Sequence, residues 1–163
     1  MNQVFDISPA EPGDTGHIMG FIRELAEYER ALEEVVATER DLSDALFCDN
    51  PRVFADICRL QGDPIGFALY FYSFSTWVGC HSLFLEDLYV TPEHRGCGAG
   101  KALFQHLARV AVSNNCGRFE WNVLSWNQPA IDFYESFGAQ LQSEWQGYRL
   151  TGSALHDLAA VNE

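Results

Sequence analysis

Three glycines in five positions, Gly96, Gly98 and Gly100, separate a strand-like stretch ending near Val90 from a helix-like stretch. That helix carries Leu103, Leu107, Val110 and Ala111 on one side. No other feature restricts the fold so much. Glycines let successive backbone N–H groups point into one concavity, and the positive end of the following helix reinforces it. A phosphate-bearing group is the natural occupant, with Arg95 adding a cation beside the cradle. The competing reading is a flexible strand-to-helix connection. Two nucleotide motifs are excluded by the spacing. Lys101 is followed by Ala102 rather than Ser or Thr, and Arg95 stands where a P-loop needs its first glycine. Gly-x-Gly-x-x-Gly fails too, because its third glycine falls on Lys101 or Leu103 in the two available frames.

Around this turn the chain alternates strands and helices. Val4–Ile7 reads as a short strand, and Asp14 or Thr15 then caps a helix with Ile18, Ile22, Leu25 and Ala26 on one face. Thr38 and Asp41 open a second short helix running through Ala45. Strands follow at Arg52–Leu60, Ile65–Phe74 and Ser82–Val90, with Gly62-Asp63-Pro64 turning between the first two. A fifth strand, Phe119–Leu124, precedes a helix capped by Asn127, with Pro129 in its first turn and Gly138 at its end. Gln140–Leu150 reads as strand material before a tail of undetermined structure. With no linker, repeat or low-complexity tract, the expectation is one domain over residues 1–163, an α/β or α+β sheet with helices on its faces.

Charge narrows the partners. Ten Lys and Arg face 23 Asp and Glu, a formal net charge of −13, and residues 11–49 hold eleven of those acids against three bases. Such a surface argues against nucleic acid and anionic membranes and favours cationic partners, unless it serves solubility alone. No apolar run reaches the roughly 18–20 residues of a membrane span, and Met1–Ala10 does not read as a signal peptide. The five cysteines, Cys48, Cys58, Cys80, Cys97 and Cys116, form no Cys-x-x-Cys pair, so neither a disulfide framework nor a metal site is expected. Reduced thiols in a cytoplasm fit that pattern.

Two further segments carry chemistry. In Leu83–Val90 the adjacent acids Glu86 and Asp87 interrupt an apolar strand, where alternation sends them to opposite faces. One of them should therefore meet a wet cleft or a base, as a general base or as half of an ordinary ion pair. In the helix after Asn127, positions Ala130, Phe133, Tyr134 and Phe137 form one stripe. Tyr134 is then either a core aromatic or a phenol with a proton to give.

Taken in this order, the segments resemble the GNAT-superfamily N-acetyltransferases, which depend on acetyl-CoA. Arg95–Gly100 matches the superfamily's Arg/Gln-x-x-Gly-x-Gly/Ala signature. Glu24-Leu25-Ala26-Glu27-Tyr28-Glu29, Leu85-Glu86-Asp87 and Trp126-Asn127-Gln128 through Tyr134 are similar to the diamine acetyltransferase branch, which includes spermidine/spermine and thialysine acetyltransferases. The similarity runs from about Val4 to Leu150.

The resemblance implies a mixed, mostly antiparallel sheet flanked by helices, with splayed strands forming an acetyl-CoA cleft. It places the pyrophosphate on Arg95, Gly96, Cys97, Gly98, Ala99, Gly100 and Lys101, and the pantetheine along Leu88, Tyr89 and Val90. Asn127, Pro129, Ala130 and Tyr134 line the other side. Tyr134 is implied as general acid toward the thiolate and Glu86 as acceptor of the amine proton. A backbone N–H near Leu88 polarises the carbonyl, and Cys97 needs no nucleophilic role. Tyr28, Glu29, Trp77, Glu86, Asp87 and Gln146 are implied on the acceptor side. The polyamine enzymes carry acids where this chain has Ser75 and Gln146, which points to a lysine-like or thialysine-like amino acid or a short diamine over long polyamines. A protein amine, or binding of acyl-CoA without turnover, are the alternatives. Related enzymes are usually homodimers, and one is expected here.

Overall fold

The computed structural model describes residues 4–160. The backbone forms two compact units, one running to Asn122 and one beginning at Val123. The first holds a five-stranded sheet in chain order: β1 (Asp6–Pro9), β2 (Val53–Leu60), β3 (Asp63–Ser75), β4 (Cys80–Val90) and β5 (Arg118–Trp121). The first four strands pair antiparallel, and β5 lies parallel to β4. The parallel pair requires a crossover, supplied by α3 (Ala99–Ser113).

On one face, α1 (Thr15–Tyr28) and α2 (Glu39–Leu46) cover a cluster of Ile18, Phe21, Leu46, Ala55, Ile57, Phe67, Leu69 and Tyr89. Phe21 stacks on Phe67 at 5.8 Å between ring centres and lies 5.9 Å from Tyr89. Each such side chain stabilises the fold by about 1.5–3 kcal/mol. The buried stripe of α1 is Ile18, Met19 and Phe21, with Ile22 and Leu25 packed at its edge. Met19 and Phe21 thus widen the expected face, on which Ala26 is half-buried.

On the other face α3 buries Leu103, Phe104, Leu107 and Ala111, and the Phe104 ring meets Phe119 at 4.8 Å and Trp121 at 5.0 Å.

Several boundaries differ from the sequence reading. The first strand begins at Asp6 rather than Val4, because its pairing with β2 starts at Asp6↔Arg59. The β2–β3 turn is Gln61-Gly62, both at positive φ (55° and 95°), so Asp63 and Pro64 belong to β3. Two positive φ values suit the tight hairpin better than the expected Gly-Asp-Pro. Thr38 and Asp41 form the expected reciprocal cap of α2. Asp14 sits at the start of α1, yet its carboxylate accepts from the Glu11 N–H and pairs with Arg59 of β2 instead of capping the helix. Burial pushes that carboxyl up, but the Glu11 N–H and the Arg59 guanidinium outweigh it, and the net shift is downward.

The second unit contains α4 (Gln128–Glu135) and α5 (Gly152–Ala159). The helix stops at Glu135, short of the Gly138 expected to end it, and Gly138, at φ +85°, closes the turn that follows. One expectation fails here. Gln140–Leu150 forms no strand, since alternation becomes a strand only with a ladder partner, and none pairs with it among the described residues. No residue of α4 is fully buried; Phe133 and Tyr134 are half-buried and Phe137 is exposed, their rings packed on one another.

Candidate active site

The site begins with a mismatch in length between neighbouring strands. Parallel pairing of β4 with β5 covers Ser82 to Leu85 and stops at Leu85↔Trp121, while β4 continues to Val90. The last five residues of β4 therefore have a backbone edge that β5 leaves unpaired. At the start of this stretch, β3 pairs Tyr70 with Leu85 and Leu69 with Asp87, so Glu86 is the extra residue of a bulge. Bulges re-aim side chains and end regular pairing. Strict alternation of Glu86 and Asp87 is replaced accordingly: Glu86 is exposed, and Asp87 is half-buried opposite Leu69 of the α1-side core.

Asp87 is the most perturbed acid of this stretch. Burial, with the charges of Glu86 and Glu29, raises its carboxyl to about 6. Glu29, which ends α1, is itself pushed up by burial. Three carboxylates thus gather where the sheet opens, in a setting that favours an arriving cation. Tyr28, the last residue of α1, is partly exposed beside them.

Beyond Val90, a single 3₁₀ turn at Pro92–His94 leads into the glycine-rich segment. Gly96 (φ 75°) and Gly98 (φ 100°) both occupy the left-handed region, which favours glycine. Gly98 is the N-cap of α3 and supplies no side-chain cap. By helix geometry the first N–H groups of this 15-residue helix, those of Ala99 and Gly100, have no intrahelical acceptor. The donors, the helix dipole and the nearby Lys101 fit a phosphate-bearing ligand. The Cys97 thiol donates to the His94 carbonyl at 2.8 Å and braces the turn. Arg95 takes a different course from the cradle cation of the sequence reading. Its Nε–H donates to the Val90 carbonyl at 3.0 Å, and its guanidinium lies over the Tyr28 and Tyr89 rings.

Trp77 is 81% exposed in the β3–β4 turn, where the Ser75 hydroxyl accepts from the Val78 N–H. In the second unit, the buried Asn127 caps α4 by accepting from the Ala130 N–H at 3.4 Å, with Pro129 between them. Tyr134 lies one turn further along α4, and Gln146 is exposed in the irregular segment. The structure thus brings Glu29, Glu86 and Asp87 together in the first unit, and Asn127, Pro129, Ala130 and Tyr134 onto one short helix in the second. Among the described residues no cluster of His, Cys, Asp and Glu is arranged to hold a metal ion.

Sequence reasoning missed two features. One is the bulge, which no composition signal announces. The other is Glu24, which accepts a 2.7 Å hydrogen bond from the Tyr89 hydroxyl. Its position, four residues before Tyr28 on the same helix face, was the available signal.

Comparison with known proteins agrees with this geometry. The acetyltransferase (GNAT) family pattern matches residues 19–139, across the boundary between the two units. Thialysine N-epsilon-acetyltransferase of Sus scrofa is 38% identical, over 94% of this chain and 96% of its own. Spermidine/spermine N(1)-acetyltransferase-like protein 1 of Homo sapiens is 36% identical over 95% of this chain, which spans 24% of that longer protein. Among solved structures, an integron cassette protein from the mobile metagenome of V. cholerae superposes with a TM-score of 0.80 at 30% identity, covering 98% of this chain and 99% of its own. The family pattern spans most of the sheet and the glycine-capped helix described above, and the chain belongs to the GNAT family as an acetyl-CoA-dependent N-acetyltransferase.

Proposed function

We propose that the protein acetylates a primary amine on a small molecule, preferring a lysine-like or thialysine-like amino acid or a short diamine to long polyamines. The observation that carries this reading is the layout of β4. Its unpaired half has the carboxylates Glu86 and Asp87 at one end and leads to the phosphate-fitting turn at the other. Acetyl-CoA, when bound, supplies an acetyl group activated as a thioester. The backbone N–H groups from Gly96 to Lys101 would hold its phosphate, and the backbone at Leu88, Tyr89 and Val90, left unpaired by β5, would offer hydrogen bonds to the rest of the molecule. Asn127, Pro129 and Ala130 are assigned to cofactor binding from the family resemblance, within a single acetyltransferase domain over residues 1–163.

Glu29 and Asp87 attract the cationic amine, with Tyr28, Trp77 and Gln146 completing the acceptor side. Glu86 takes the ammonium proton through water, a backbone N–H near Leu88 polarises the carbonyl, and the Tyr134 phenol offers a proton to the departing sulfur. Supporting the preference for small amines, Ser75 is committed to its own turn and Gln146 carries no charge, so neither anchors a distant ammonium. The pig relative acts on thialysine by its name, which agrees. We further place the enzyme in the cytoplasm as a homodimer without nucleic-acid or membrane partners. Supporting this, its five cysteines are all unpaired, its charge is −13, and among the described residues no helix is long and apolar enough to cross a membrane.

Thiol release from acetyl-CoA across a panel of lysine analogues, diamines and polyamines tests the reading. The highest kcat/KM is expected for a small amine; spermine outperforming every small amine would overturn the preference. In the same assay Tyr134→Phe should lower turnover by about 10²–10⁴-fold with little change in acetyl-CoA affinity. Near wild-type turnover would return Tyr134 to a packing role.

A further inference from the structure

We propose that Arg95 is a positioning residue that couples the acceptor-side end of α1 to the phosphate turn, by stacking its guanidinium on Tyr28 while its Nε–H holds the Val90 carbonyl. The inference rests on the proposed placement of the amine near Tyr28 and of phosphate on the turn. Its geometry brings two elements, α1 and β4, onto one side chain of the turn. The guanidinium carbon lies 5.3 Å from the centre of the Tyr28 ring, at the end of α1, and 5.4 Å from that of Tyr89, near the end of β4. Nε closes a 3.0 Å hydrogen bond back to Val90, drawing the start of the turn against the end of the strand. The Tyr89 hydroxyl donates at 2.7 Å to Glu24, one turn before Tyr28, so strand and helix are joined a second time beside the guanidinium.

Glu24, Tyr28, Tyr89 and Arg95 line an open cavity of about 380 Å³, together with Glu27 and Glu93. Three carboxylates, Glu24, Glu27 and Glu93, thus share the cavity lining with the guanidinium. A planar guanidinium suits two rings and a carbonyl at once, which a lysine ammonium does not. Arg95 is therefore engaged by protein groups, and the backbone N–H donors are left to meet phosphate. Any shift of Tyr28 on amine binding reaches Gly96 through one intervening side chain. The converse holds by reciprocity: phosphate binding that fixes the turn also fixes the end of α1.

A double-mutant cycle on the full chain tests this, with acetyl-CoA Kd measured by calorimetry in the absence of amine. Tyr28→Leu should raise Kd roughly three- to tenfold, the range set by loss of a cation–π contact. Tyr28→Phe should restore it, since the ring and not the hydroxyl receives the guanidinium. In an Arg95→Ala background, Tyr28→Leu should add nothing. At saturating acetyl-CoA, Arg95→Ala should raise the amine KM more than it lowers kcat. Should Tyr28→Leu fold poorly, Tyr28→Met removes the ring with less loss of volume. Unchanged Kd in the leucine and methionine variants, or effects that simply multiply in the double variant, would overturn the coupling. Gly98→Val separates the two readings. If it leaves Kd unchanged in a folded protein, the turn assignment fails and the coupling falls with it. If it weakens binding while the cycle shows no interaction, the coupling alone is wrong.

Discussion

The two faces of the sheet each hold an acid where the strand pattern calls for an apolar residue, and they treat it in opposite ways. On the α3 face, Asp56 of β2 is 2% exposed and accepts from His106 at 3.2 Å. Burial pushes its carboxyl up, while the charge and hydrogen bond of His106 and the hydroxyl of Tyr70 oppose that shift. On the α1 face, Asp87 is also raised by burial, but the charges acting on it, from Glu86 and Glu29, are both negative. A buried acid with donors is a joint between α3 and the sheet. One crowded by like charge is costly to the fold and persists where a positive ligand relieves it. The difference teaches that burial alone does not distinguish a structural acid from a functional one; the signs of its neighbours do.

The largest effect expected from disturbing this contrast is on stability. Asp56→Ala leaves Tyr70 and His106 without their acceptor and should cost about 3 kcal/mol, read by denaturant unfolding. Turnover of the folded fraction should stay near wild type. A collapse of kcat in that fraction would make Asp56 part of the chemistry and erase the distinction.

Next in size, Asp87→Asn should lower kcat/KM for the amine tenfold to a hundredfold, about 1.4–2.7 kcal/mol, by removing the charge that attracts it. Its effect on stability should have the opposite sign. Because the folded carboxyl titrates near 6 against an ordinary 3.8, the native state holds its proton longer than the unfolded chain. Asp87 therefore costs nothing below about pH 4; stability is lost as pH rises from there to about 6, and the penalty stays constant above. The Asn variant should then be as stable as wild type or more so at pH 7, and less sensitive to pH between 4 and 6. The acid limb of kcat/KM should fall near pH 6 in the wild type and vanish in the variant. A limb that survives Asp87→Asn would move the titration to another group.

The smallest expected shift, in the position of the acid limb and apart from the loss of rate that Glu86→Gln brings as the proposed proton acceptor, sharpens the same point. Glu86→Gln removes one of the two negative neighbours of Asp87, so the acid limb should move to lower pH, by less than about one unit given the screening near an exposed residue. A shift upward, or none, would mean that burial alone sets Asp87 and that the crowding is irrelevant.

The amino-acid sequence by itself determined a good deal. Gly96 and Gly98 between a strand and an amphipathic helix specify a backbone cradle, because only glycine takes those φ values without strain and a helix start carries free donors. Thr38 with Asp41, and Asn127 with Pro129, mark helix starts through short-range hydrogen bonds that any context preserves. Tertiary structure decided what depends on partners distant in sequence. The Glu86 bulge arises from β3–β4 register, and it turned two alternating acids into one exposed and one half-buried carboxylate. Pairing with β5 only as far as Leu85 opened the rest of the β4 edge, whereas the strand-like residues 140–150 found no ladder among the described residues and stayed irregular. Arg95, read from its motif as a cation for phosphate, stacks on tyrosines from two other elements. Local signals survive because their donors and acceptors lie within a few residues. Register, strand splay and the neighbours of a charge are set by segments tens of residues apart, which the chain brings together only on folding.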